Sequence, residues 1–159
     1  MIAARTGDRD SRDAHPEQAE RYAKRTGKDL DTFWFGFGPT NVALWTLSVG
    51  ADLGEGPRDY ERVHRDQFDV EVLHSAERTG SYHLDAARAL AQYGGDRDEE
   101  AVRHLDLADR AAPVRMRNTP IARELTEELT RRAYRHLSDV DGLLKRFGLA
   151  GQGSQRVNN

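Results

Sequence analysis

The apolar residues of this chain recur every three or four positions, and this spacing restricts the fold more than any other feature of the sequence. Ile121, Leu125 and Leu129 follow one another at intervals of four residues, so they share one face of a helix. The one strand-like stretch is FDVEVL at 68–73, and it is too isolated to form a sheet. The sequence therefore predicts an all-α protein of about six to seven helices.

Glycine, proline and threonine residues mark the expected helix ends. Proline is favoured at the first position of a helix, whereas glycine is favoured just after the last one. On this basis Gly54 ends one helix, Thr119 caps the helix that begins at Pro120, and Gly148 ends the last helix. The predicted helices span residues 16–25, 39–53, 57–66, 75–93, 97–111 and 120 onward, with a last helix that ends at 148. Residues 68–73 are expected to form a loop with buried anchors.

The segment from Ser81 to Pro113 follows the template of a tetratricopeptide (TPR) repeat, a helix–turn–helix unit of about 34 residues. Small residues stand where two helices must approach closely, larger ones take the core positions, a glycine marks the turn and a proline marks the exit. In that order these residues are Ala87, Ala101 and Ala108, then Leu90 and Leu105, then Gly94 and Pro113. We therefore expect antiparallel helix pairs stacked as an α-solenoid. The expected domain covers residues 16–149, between a disordered lead-in over residues 1–15 and a flexible tail over residues 150–159.

Several segments also resemble one protein family. They are FGPTNVA at 37–43, DLG at 52–54, HLDAARA at 83–89, DEEA at 98–101, ADRAAP at 108–113 and IAREL at 121–125. These segments are similar to the C-terminal TPR-like region of actinobacterial Xre-type (lambda-repressor-like) transcriptional regulators. The resemblance covers about residues 22–149. In that family an N-terminal helix-turn-helix domain reads DNA. The resemblance therefore implies that the TPR-like region senses a ligand or mediates assembly.

The chain departs from that family because only about twenty residues precede the similar region, too few for a helix-turn-helix domain. It is then a stand-alone relative, a fragment of a longer reading frame, or the partner of a separate helix-turn-helix protein. Direct binding to nucleic acid is not expected. The formal net charge of -3, with arginine and acidic residues interleaved, agrees with this, since DNA-binding proteins usually present a basic surface.

Composition and spacing also argue against several kinds of chemistry. Without cysteine there is no disulfide and no thiolate metal site, and the six histidines include no pair four residues apart. The serines lack the GxSxG context of a hydrolase nucleophile, and the adjacent carboxylates lie on hydrophilic helix faces. We expect no metal, no cofactor and no enzymatic activity. An apolar segment long enough to cross a membrane is absent, and the expected compartment is the cytoplasm.

The remaining prediction is a binding groove lined by the first helix of each pair. The groove residues would be Asn41, Trp45 and Ser48 in the first pair, and Arg88 and Gln92 in the second, with Leu44 and Leu84 beside them. An asparagine amide can pair with a peptide backbone and an arginine can hold a carboxylate, while Trp45 supplies apolar area. Each has a structural alternative: helix capping for Asn41, core packing for Trp45 and an ion pair with Asp85 for Arg88.

The sequence thus favours a sensor or interaction module that binds a peptide or protein partner. Two other functions stay open, namely a structural homodimerisation module without a ligand and a small enzyme that uses the groove. A stable homodimer that buries the face from Asn41 to Arg88 would favour the first of these, and turnover of a small molecule would favour the second.

Overall fold

The computed structural model describes Gln18, Arg21, Tyr22 and the residue ranges 38–65, 68–132 and 138–149. Within these ranges the chain folds into seven α-helices and two short 3-10 helices, with no β-strand, so the all-α prediction is confirmed. None of the described helices is both long and apolar enough to cross a lipid bilayer. The expected lead-in and the expected tail lie outside the described residues.

The chain divides into two compact units at residues 74 and 75. The first unit contains α1 (Pro39–Leu53), α2 (Gly56–Arg65) and a 3-10 helix (Val70–Leu73). The second contains α3 (Ala76–Ala91), a 3-10 helix (Gly95–Arg97), α4 (Asp98–Ala111), α5 (Pro113–Asn118), α6 (Pro120–Arg132) and α7 (Ser138–Arg146). Of the predicted helix over 16–25, the three described residues are helical.

Helix α1 begins and ends where the sequence places its boundaries. Pro39 occupies the first turn, and the carbonyl of Gly38 accepts the first helical hydrogen bond from Val42 N–H at 3.1 Å. At the other end Gly54 adopts φ 78°, which allows Glu55 N–H to reach back to the carbonyl of Gly50 at 2.8 Å. This left-handed glycine with its backward hydrogen bond is a common helix stop.

The two helices of the first unit approach closely at Gly50. A Cβ atom at this position would lie 2.1 Å from Oδ2 of Asp59, whose side chain is fully buried in α2. Glycine therefore fits here because it has no side chain to displace the carboxylate. After α2, residues 70–73 form a 3-10 turn in which Leu73 is buried, which matches the expectation of an anchored loop.

In the second unit α3 and α4 form an antiparallel pair joined by a short connection. The second turn of α3 meets the last turn of α4, since a Cβ at Gly80 would lie 2.9 Å from the Cβ of Ala112. Residues at the pair's core are completely buried, and they include every small and large position of the repeat pattern: Ala87, Leu90, Ala101, Leu105 and Ala108. Small side chains on both helices let the backbones come close, so the apolar pattern is explained by this interface.

The predicted end of α4 is confirmed, and the residues after it differ from the prediction in two details. Helix α4 ends at Ala111, before Pro113 as expected, but Pro113 also begins the short helix α5, which the sequence did not predict, since proline is favoured at a first helical position. The carbonyl of Thr119 accepts the first hydrogen bonds of α6, from Ala122 at 3.1 Å and Arg123 at 3.2 Å. Its hydroxyl donates instead to the carbonyl of Arg115 at 2.8 Å, and so satisfies the end of α5.

A buried carboxylate joins three helices of the second unit. Asp109 of α4 is 1% exposed and accepts two hydrogen bonds from Arg117 of α5, from Nε at 2.7 Å and from Nη2 at 3.0 Å. Arg146 of α7 donates a third from Nε at 2.7 Å, and its Nη2 also contacts Asp106. The carboxylate therefore holds α5 and α7 against α4. We call Asp109, Arg117 and Arg146 the Asp109 cluster.

Two more arginines satisfy backbone carbonyls at helix ends. Arg132 of α6 donates to the carbonyl of Ala91 at 2.6 Å, at the end of α3. Arg123, in the first turn of α6, donates to the carbonyl of Phe147 at 2.7 Å, just after α7. The last carbonyls of a helix lack partners within the helix, so these cations satisfy them and oppose the negative end of its dipole.

We expect Gly80→Ala to lower the free energy of unfolding by about 1–3 kcal/mol, since the new methyl group would force α3 away from Ala112. Gly95→Ala, in the 3-10 helix before α4, is the matched control, because an added Cβ at this position meets no atom within 4 Å. This control should change the free energy of unfolding by less than about 1 kcal/mol. Urea unfolding measures both, and equal effects for the two variants would contradict the close approach at Gly80.

We expect Asp109→Asn to lower the free energy of unfolding by about 2–3 kcal/mol at neutral pH, because two arginines lose their charged acceptor. Burial by itself raises the pKa of Asp109, but the hydrogen bonds and charges of Arg117 and Arg146 outweigh it and hold this pKa below its ordinary value of 3.8. The folded chain therefore releases the proton more readily than the unfolded chain. Its stabilisation is complete above the unfolded pKa and is lost as the pH falls through the folded one.

The difference between wild type and Asp109→Asn should therefore stay constant at neutral pH and shrink below about pH 4. Urea unfolding at several pH values measures it. A difference that remains the same down to about pH 3 would show that the carboxylate does not stabilise the fold through its charge.

Candidate binding surface

Helix α1 carries a large aromatic side chain on its solvent-facing side. The buried residues of this helix are Val42, Thr46, Leu47, Gly50 and Ala51. Asn41, Leu44, Trp45 and Ser48 lie on the opposite side, since positions three and four apart share one face of a helix. Trp45 is 57% exposed, while the other three are partly exposed. We call these four residues the α1 surface.

The exposure of Trp45 tests the alternative that this side chain packs the core. A tryptophan that packed the core would be largely buried, whereas this one exposes more than half of its surface. Asn41 lies in the first turn of α1, and Gly38 occupies the capping position. Core packing, the structural alternative drawn from the sequence for Trp45, therefore does not account for this residue.

Arg88 and Gln92 lie in the second unit, on and just after α3. Arg88 donates from Nη1 to Oδ1 of Asp85 at 2.9 Å, and both side chains are 17% exposed, so the ion pair given as its structural alternative is present. Gln92 is exposed and caps the end of α3. Leu84, which was placed beside the groove, is 8% exposed and belongs to the core of this unit.

The structure brings together two histidines that the sequence does not connect. Nδ1 of His83, on α3, lies 3.1 Å from Nδ1 of His104, on α4, and the ring centroids are 5.1 Å apart. The edge of the Tyr82 ring faces His104 at 6.1 Å between centroids. A signal for this pairing did exist, because the two histidines stand eleven residues before and ten residues after Gly94. Positions at nearly equal distances from a turn lie side by side in an antiparallel pair.

Burial shifts the pKa of His83 and that of the neighbouring Tyr82. Burial lowers the pKa of His83, so its imidazole is neutral at pH 7. Burial, together with the negative charge of Glu100, raises the pKa of Tyr82 to about 12, so its phenol stays protonated. No cluster of three or more histidine, aspartate or glutamate side chains suited to a metal ion occurs in the described part of the chain.

Comparisons with known proteins give no relative for this chain. No protein-family model, curated protein or solved structure matches it.

We expect Trp45→Ala to change the free energy of unfolding by less than about 1 kcal/mol, because the side chain is largely exposed. The control is Leu47→Ala in the same helix, where the side chain is fully buried and the expected loss is about 2–5 kcal/mol. Urea unfolding compares the two variants. A loss at Trp45 as large as that at Leu47 would show that the tryptophan packs the core after all.

Proposed function

We propose that the protein is an interaction module that binds a protein or peptide partner through the α1 surface. The observation that carries this proposal is the exposure of Trp45 on a helix whose other side is packed into the first unit. Tryptophan is among the residues most enriched at the energetic centres of protein interfaces. A single exposed aromatic residue with polar neighbours matches the composition of such a centre.

The exposed area of the Trp45 side chain gives the scale of the free energy that a partner could gain by covering it. A tryptophan can bury up to about 250 Å², and at about 25 cal/mol per Å² the exposed 57% of Trp45 corresponds to roughly 3.5 kcal/mol of apolar burial before the entropy cost of association is subtracted. Asn41 and Ser48 stand beside it, one turn away in either direction along the helix. The amide of Asn41 can both donate to and accept from a peptide backbone, and so can fix the orientation of a partner on the aromatic ring.

Arg88 and Gln92 are proposed as a second set of binding residues, on α3. Asp85 orients the guanidinium of Arg88, and a guanidinium is a group that can bind a carboxylate of the partner. Gln92 adds an exposed amide at the end of the helix. The proposal treats this set separately from the α1 surface.

We further propose that the helices are TPR-like pairs, stacked as a short solenoid. The antiparallel packing of α3 on α4 and the burial of every small and large position of the repeat pattern support this proposal. The resemblance to Xre-type regulators then implies a partner such as a separate helix-turn-helix protein in the cytoplasm. DNA binding by this chain alone is not part of the proposal, since its net charge is -3 and acidic and basic residues are interleaved.

Photo-cross-linking in living cells tests the proposed surface directly. A benzophenone amino acid replaces Trp45 in one variant and Val114, which is 78% exposed on α5, in the control. Illumination then links each position to whatever lies against it. We expect an adduct with a second protein at position 45 and none at position 114.

The size and composition of the adduct distinguish the functions that the sequence left open. An adduct with a different protein, lost when Asn41 or Ser48 is also replaced by alanine, supports the proposal. An adduct formed only between two copies of this chain would replace it with homodimerisation. No adduct at position 45, or equal adducts at both positions, would reject the α1 surface as a binding site.

A further inference from the structure

His83 and His104 present two ring nitrogens to each other across the α3–α4 interface. The Nδ1 atoms are 3.1 Å apart, and the ring planes are inclined by 57°. His83 is 8% exposed and His104 is partly exposed, so the pair lies at the edge of the interface rather than at its centre. The two helices hold the nitrogens in this position, because their backbones pack closely through Ala87, Ala101 and Ala108.

Two imidazole nitrogens at this distance hold a single proton between them. One ring must carry its proton on Nδ1 and donate it, while the other carries its proton on Nε2 and accepts. If both Nδ1 atoms bore protons, the two N–H groups would point at each other. The arrangement therefore contains one lone pair already directed toward the partner ring, and a second that a change of tautomer exposes.

We propose that His83 and His104 form a two-histidine site for a divalent transition-metal ion such as Zn²⁺ or Cu²⁺. Imidazole nitrogens bind these ions at about 2.0–2.1 Å. Two such nitrogens are about 3.3 Å apart around a tetrahedral ion and about 2.9 Å apart around a square-planar one, and the observed separation of 3.1 Å lies between these values. The pair can therefore bind an ion with little movement of either helix.

The hydrogen bond between the rings favours this chemistry. A histidine binds a metal through a deprotonated nitrogen, and one of the two facing Nδ1 atoms already accepts through its lone pair. No third histidine or carboxylate joins the pair within the described ranges, so water completes the coordination of the ion. Partly exposed His104 provides the side from which solvent reaches it.

Binding changes the tautomer of one ring without a net loss of protons. In the free pair, one imidazole carries its proton on Nδ1 and the other on Nε2. When both Nδ1 atoms bind the ion, the donor ring must move its proton to Nε2 through solvent. Both rings are then Nε2–H tautomers, and no proton is released to the buffer. This change distinguishes the proposed site from a histidine that binds metal through Nε2.

Isothermal titration of the full chain with ZnCl₂, and separately with CuSO₄, tests the proposal near pH 7.5. We expect one ion per chain at the site, with Cu²⁺ bound more tightly than Zn²⁺. His83→Gln and His104→Gln should each weaken this binding at least tenfold. His64→Gln is the matched control, because His64 is an exposed histidine of α2 and should leave the affinity unchanged.

A second measurement on the wild-type chain does not depend on the variants folding. Nitrogen-15 NMR of the histidine rings reports which nitrogen carries the proton. We expect one Nδ1–H and one Nε2–H ring before the metal is added, and two Nε2–H rings with shifted Nδ1 signals at one equivalent of Zn²⁺. Absence of binding at 1 mM Zn²⁺, unchanged affinity in both variants, or signals that shift only at other histidines would overturn the proposal.

Discussion

The carboxylate of Asp109 accepts three hydrogen bonds from two arginines, and the helices on both sides of it depend on that arrangement. Arg117 is eight residues away and Arg146 is thirty-seven residues away, so one side chain connects α4 to an early and a late helix of the same unit. Burying a carboxylate is costly unless it is fully paired, and here both oxygens have charged donors. The Asp109 side chain therefore fixes where α5 and α7 pack against α4.

A polar cluster is useful here because the apolar core of the second unit is thin. The α3–α4 interface consists largely of alanines, which bury little area per residue although they allow close packing. Leu129, Leu143 and Phe147 add larger buried side chains from α6 and α7. Arg123 and Arg132 then attach the ends of these helices through backbone carbonyls. Apolar contacts thus give the helices their packing, and the arginines fix where each one ends.

Six of the seven described α-helices, all but α5, could be predicted from the sequence because their determinants are local. Gly54 and Gly148 adopt the left-handed conformation that stops a helix, at φ 78° and 68°, and Pro120 begins one. The Asp109 cluster could not be found in this way, since charged residues are frequent and nothing in the spacing selects one arginine over another. Trp45 shows the same limit, because the spacing of α1 gives its face, but its exposure depends on what the rest of the fold leaves uncovered.

The histidine pair differs from the Asp109 cluster in what it contributes to stability. A hydrogen bond between two neutral groups adds only about 0.5–1.5 kcal/mol, and withdrawing two imidazoles from water costs a similar amount. Two leucines of similar size would stabilise the same place in the interface by burying apolar area. Asp109, in contrast, is compensated by two cations that belong to the fold. Residues that contribute little to stability at a packed interface are where a function is expected, and the facing nitrogens of His83 and His104 give that function a definite chemistry.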